Sequence, residues 1–190
     1  MSADPRTDEG LMLAYQAGEM AAFEALYPRY RIRLYRYLVH QCGDAGLAEE
    51  LYQDIWLRVI NARADYAPLA KFSTWLFRIA HHRLIDHYRR HARDKVVRWE
   101  DCGEDNAIDD FPAPAELTPP AQLERLQLSA RIGAALAELP EPQREVFLMA
   151  EEGGMTLEEI ASATGTGRET VKSRLRYAMS KLRHSLKDLL

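Results

Sequence analysis

The sequence predicts an all-α fold of two small helical units joined by a linker. Three observations predict it. Apolar residues recur at helical spacing through both ends of the chain, and no stretch alternates in the strand pattern. Between the ends, residues 96–125 break the periodicity with Gly103, Pro112, Pro114, Pro119 and Pro120 and an acidic run. The boundaries expected from this are 1–95, 96–125 and 126–190.

The elements follow in order. A short first helix is expected over residues 11–17. A second runs from about 21 to 41, with Phe23, Leu26, Tyr30, Leu34 and Leu38 at helical spacing. Residues 43–46, Gly-Asp-Ala-Gly, read as a break. A third helix from about residue 48 puts Leu51, Tyr52, Ile55, Trp56, Val59 and Ile60 on one face. Pro68 marks a loop. A fourth helix from about residue 73 turns Trp75, Leu76, Ile79, Ala80 and Leu84 inward, with Tyr88 also assigned to the core. Four helices with short connections make a bundle. Beyond the linker, one helix is expected over 121–138. Another starts at Pro140-Glu141-Pro142 and runs through Ala150, and Gly153-Gly154 ends it.

The last part of the chain is the most informative. Thr156-Leu157-Glu158-Glu159 has the spacing of a capping box, and Thr166-Gly167-Arg168-Glu169 repeats it ten residues on. Gly165 between them suits a left-handed turn residue. Ala161, Gly165 and Val171 fall where a helix-turn-helix needs a small residue, a turn glycine and a buried β-branched residue. The second helix turns Val171, Leu175, Ala178, Leu182 and Leu186 inward and shows Arg168, Lys172, Ser173, Arg176 and Tyr177 outward. A recognition helix uses such a face on base edges and phosphates.

Charge supports a nucleic-acid partner despite a net charge of -4. Residues 71–95 hold 7 basic and 2 acidic residues, and residues 168–187 hold 7 and 1, whereas the linker carries 2 against 8. Positive charge collected on two contacting faces outweighs an unfavourable average. On the fourth helix the outward residues are expected to be Arg78, His81, His82, Arg89 and Arg90. Tyr66, Lys71 and Phe72 lie on or beside the loop before it. Basic residues interleaved with aromatics suit single-stranded DNA, whose bases stack while its phosphates are neutralised.

Other classes are disfavoured. Apolar residues make up 47% and charged residues 28%, an ordinary globular balance. The two cysteines, Cys42 and Cys102, show no ligand spacing and read as free thiols in a reducing compartment. The N-terminus is polar and acidic, and no apolar run reaches the ~20 residues of a membrane span. A cytoplasmic protein is expected. Adjacent His81 and His82 diverge around a helix by about 100°, so they do not form a metal pair. Glu49, Glu50 and Asp54 lack the further ligands that a metal-dependent nuclease requires. No cofactor, no metal and no catalysis are expected. A one-component regulator with a helical sensor unit is the alternative, and it leaves the basic fourth helix unexplained.

Three segments carry a family resemblance: AEELYQDIWLRVI (48–60), FSTWLFRIAHHRLIDHYRR (72–90), and LPEPQREVFLMAEEGGMTLEEIA with TGRETVKSRLRYAMSKLRHSL (139–186). Together they resemble the bacterial RNA polymerase sigma factors of the extracytoplasmic-function (ECF) group. That resemblance implies a promoter-specificity subunit that binds core RNA polymerase at its clamp helices and flap. Glu49, Glu50, Gln53, Asp54, Leu57 and Arg58 would dock on the clamp. Residues 66–72 and the helix after them would melt and hold the -10 promoter element, through Tyr66, Lys71, Phe72, Arg78, His82, Arg89 and Arg90. Arg168, Thr170, Lys172, Ser173, Arg176 and Tyr177 would read the -35 element. The acidic linker would pass near the RNA exit path, and an anti-sigma factor is the implied inhibitor.

Overall fold

A computed structural model describes residues 4–94 and 119–189. The linker residues 95–118, Cys102 among them, lie outside the described residues. The described residues form α-helices and short 3-10 turns, with no strand among them.

Helix α1, Asp8–Gln16, starts three residues before its expected position. Thr7 provides the reason: its hydroxyl accepts the Gly10 N–H at 3.1 Å, and Asp8 and Glu9 favour the positive end of the helix dipole. Helix α2, Met20–Cys42, ends at Gly43 in the left-handed conformation (φ 66°). Asp44 then caps α3, Ala45–Asn61, by accepting the Leu47 N–H at 2.7 Å. The expected break over 43–46 therefore shrinks to two residues. A 3-10 turn, Ala62–Asp65, leads into the loop before α4, Phe72–Asp94. The carboxylate of Glu9 accepts the Phe72 N–H at 2.7 Å, so α1 caps the start of α4.

These four helices share an interior of leucines and rings. Leu11, Leu26, Leu34, Leu38, Leu51, Ile55, Leu76 and Phe77 are fully buried. Tyr37 meets Phe77 edge-on at 5.3 Å, and Tyr30 meets Phe72 at 5.0 Å. Trp75 is half-buried against this core, but Tyr88 is more exposed than expected, and its hydroxyl donates to the Gln41 carbonyl.

Helix α5, Pro119–Ala137, begins inside the expected linker, so residues 119–125 are helical. Helix α6, Glu141–Glu151, has a proline in its first turn, where a missing N–H costs nothing. Helices α7, Leu157–Thr164, and α8, Arg168–Ser185, form the helix-turn-helix, with Ile160, Val171 and Ala178 buried between them and α6. The capping box at Thr156 is complete. The second one is not formed. Gly167 is the N-cap of α8 and gives no side-chain bond. Thr166 instead pairs its hydroxyl with Thr164 at 2.9 Å, and Glu169 turns to Arg168.

The two groups of helices touch. Polar side chains cross between them: Arg36 to Glu152 at 2.8 Å, His81 Nδ1 to Glu145 at 2.6 Å, and Thr74 donating to Glu159 at 2.9 Å. His81, expected outward, is thereby buried.

Candidate nucleic-acid interface

Helix α8 gives the cleanest surface. Gly165 adopts φ 64°, which lets the chain reverse between α7 and α8 in three residues. Val171, Ala178 and Leu182 anchor one side of α8, so Thr170, Lys172, Ser173, Arg176 and Tyr177 project to solvent on the other. The Arg176 guanidinium lies over the Tyr177 ring, 5.0 Å from its centre, and Tyr177 is 54% exposed. Lys172 is 3.7 Å from Glu169. Arg168 is less free: it bonds the carboxylates of Glu158 and Glu169. A groove of about 420 Å³ between α7 and α8 is lined by Leu157, Lys172, Leu175, Arg176, Met179 and Arg183.

The exposed face of α4 carries Arg78, His82, Arg89 and Arg90. Partial burial lowers the His82 pKa, and the nearby His81 and Arg78 lower it further. Lys71 is exposed and lies 3.8 Å from Glu159. Tyr66 and Phe72 depart from the expectation. Both are buried, packed on each other and on Trp75, and burial pushes the Tyr66 phenol up to about 12. Neither ring is available for a base to stack on in this arrangement. Helical periodicity could not show this, because Phe72 is covered by Tyr30, more than forty residues away. The loop presents Leu69 instead, 93% exposed. Sequence reasoning passed over it, although an apolar residue directly after Pro68 was a readable signal.

On α3, Glu49, Glu50, Gln53, Leu57 and Arg58 are exposed, Leu57 by 57%. Gln53 donates to Glu49 at 2.8 Å. Asp54 is half-buried. Its Oδ2 accepts from Arg58 at 2.9 Å and from Arg83 of α4. Burial raises the Asp54 carboxyl, but the two arginine hydrogen bonds outweigh that and hold it below the ordinary range. Arg83 is a second residue that the sequence reading missed.

Two surfaces rich in arginine, one of them on a helix-turn-helix, and a mixed acidic and apolar face on a third helix thus sit on one chain. Residues 26–94 match the family model for sigma-70 region 2, and residues 129–182 match the one for sigma-70 region 4. The chain is 32% identical over 169 residues to the ECF RNA polymerase sigma factor RpoE of Cereibacter sphaeroides, with 87% of each chain covered. It is 34% identical over 177 residues to the ECF RNA polymerase sigma factor SigL of Mycobacterium tuberculosis, covering 91% of this chain and 93% of that one. In fold it is similar to CnrH, solved in complex with the cytosolic domain of CnrY (TM-score 0.65, 23% identity, 96% and 99% covered). It is also similar in fold to RpoE of Bartonella quintana, solved with the anti-sigma factor NepR (TM-score 0.65, 21% identity, 87% and 96% covered). With both region models in order and relatives matched almost end to end, the chain belongs to the ECF RNA polymerase sigma factors, the subunits that direct core polymerase to promoters.

Proposed function

We propose a division of labour along the chain. The outer face of α3, centred on Leu57 and flanked by Glu49, Glu50, Gln53, Asp54 and Arg58, docks on the polymerase clamp helices. The Leu69 loop and the Arg78, His82, Arg89 and Arg90 face of α4 hold the melted -10 strand. Lys71 joins that face, while Tyr66 and Phe72 support it from the core. Thr170, Lys172, Ser173, Arg176 and Tyr177 of α8 read the -35 element, and Arg168 contacts DNA once its glutamates release it. The protein works in the cytoplasm, where polymerase is, and has no catalysis of its own. An anti-sigma factor controls it, as the RpoE of Bartonella quintana is bound by NepR. Units 1–95 and 126–190 serve the two promoter elements separately.

The observation that carries this reading is the outer face of α8, held by an αL glycine turn and a capped preceding helix. Run-off transcription with core polymerase on a genomic promoter library tests it: a shared -10 and -35 pair should emerge. In the same assay Arg176→Ala should relax preference at one or two -35 positions, a discrimination of ~1–3 kcal/mol. Lys172→Ala should weaken binding to all sequences and lower the salt slope by about one unit. A double variant as active as the parent on a -35-dependent promoter would remove α8 as the reader.

A further inference from the structure

The contact between α3 and α4 contains an ion pair whose geometry is poor for stability and well suited to presenting a carboxylate. Arg83 projects from α4 toward α3, and its side chain is only 10% exposed. Its Nε donates to Oδ2 of Asp54, while its Nη1 is buried with no hydrogen-bond partner. A buried guanidinium with an unsatisfied donor is a weak contributor to folding, since desolvation consumes most of the attraction. Arg58, one turn along α3, donates to the same Oδ2. Two guanidinium groups therefore hold one oxygen of Asp54. Among the described residues, no hydrogen bond or ion pair ends on the other oxygen, Oδ1. The carboxylate sits on the edge of α3 beside exposed Leu57, with its orientation fixed before any partner arrives.

We propose that Arg83 is a positioning residue for polymerase binding: it locks Asp54 from behind so that Oδ1 is offered, pre-oriented, to a basic side chain of the clamp. The inference rests on the docking role proposed above for α3. A fixed acceptor saves the ordering cost that a free surface carboxylate pays on binding. Arg58 alone leaves that orientation loose, because its own side chain is half exposed. Arg83 also ties the polymerase-facing helix to the helix that carries His82 and Arg89.

The experiment is a double-mutant cycle on the full chain, reading affinity for core polymerase and thermal stability together. Arg83→Met should keep the far-ultraviolet spectrum and an unchanged or higher Tm, yet bind core polymerase about tenfold more weakly. Asp54→Asn should lose a similar factor. The double variant should bind no worse than Asp54→Asn, because Arg83 acts only through that carboxylate. Arg83→Lys keeps the charge without the fixed fork and should recover part of the affinity. If Arg83→Met does not fold, Arg83→Gln, which also lacks the charge, replaces it in the cycle with the same criterion. Unchanged affinity in the Arg83 variant, or losses that multiply in the double variant, overturns the proposal. Leu57→Glu separates the two levels. If it leaves affinity intact, the α3 docking surface itself is wrong; if it weakens binding while the Arg83 variant does not, only the positioning role fails.

Discussion

Within α1–α4, Tyr37 meets Phe77 and Tyr30 meets Phe72, rings on rings with water excluded. Between these helices and α6–α7 the facing groups are Arg36 and Glu152, His81 and Glu145, Thr74 and Glu159. The rings lose their gain entirely if they separate, since nothing in water replaces their packing. The polar pairs exchange one set of partners for another, and water or a phosphate can take either half. An interior of the first kind commits the chain to one structure. The seam is not polar throughout, since the buried apolar side chains of both groups belong to one cluster, so how readily it parts is a matter for experiment.

The interior should give the largest effect. Phe77→Ala should destabilise the N-terminal helices by ~3–5 kcal/mol, because a fully buried ring leaves a cavity edged by Tyr37. Urea titration followed by tryptophan fluorescence measures it, and a loss below ~1 kcal/mol would mean the ring is not in the core.

The border between interior and seam carries a pH signature. Burial lowers the His40 pKa to about 4, helped by Arg36 and Arg144 nearby. The unfolded chain then binds the proton more readily than the folded one. Stability should be intact above about pH 6.5, fall as pH drops toward 4, and change no further below that, by at most ~3 kcal/mol. His40→Asn should flatten that slope in Tm measurements between pH 7 and 4; an unaltered slope assigns the dependence elsewhere.

The seam itself is sharpened by an asymmetry. The Arg36 side chain is 46% exposed and Glu152 only 11%. If the seam stays shut, Arg36→Ala strands a buried carboxylate at ~1–3 kcal/mol, whereas Glu152→Ala returns Arg36 to water at less than ~1 kcal/mol. If the seam opens readily, both losses are small and equal. Calorimetry on the two variants decides between these, and either result fixes how firmly the closed arrangement is held.

Cutting the chain after residue 95 should have the smallest effect on the N-terminal helices. The ring pairs Tyr37–Phe77 and Tyr30–Phe72 are made within these helices, so fragment 1–95 should keep its helical circular dichroism and bind core polymerase. An unfolded fragment would show that the seam contributes structure rather than contact.

Most of the helices, the Thr156 capping box and the outer face of α8 were legible in the sequence, because each depends on residues three to four apart. Three other features depend on distant partners. Phe72 is buried by α2, and His81 is buried by a glutamate 64 positions away. Arg83 is turned inward by Asp54 of α3. A helical repeat says which residues share a face, not what covers that face. The second capping box failed for a local reason: Gly167, not Thr166, is the N-cap of α8, and the Thr166 hydroxyl pairs with Thr164 instead. A sequence window shows the motif but not the residue on which the helix starts.

Glu159 binds the Thr156 N–H with one oxygen, closing the capping box, and accepts from Thr74 with the other. Lys71 lies 3.8 Å from that second oxygen. Its tolerance to substitution is therefore narrower than that of a cap or of a surface ion pair alone. Aspartate is one methylene too short to reach both partners. Alanine drops both at once. Glutamine keeps one acceptor for the Thr156 N–H but turns an amide donor toward Thr74, whose hydroxyl must then accept, and it gives up the attraction to Lys71. In any library of variants, position 159 should thus behave as a two-letter site, although it lies in the first turn of an eight-residue helix where almost any polar residue would otherwise serve.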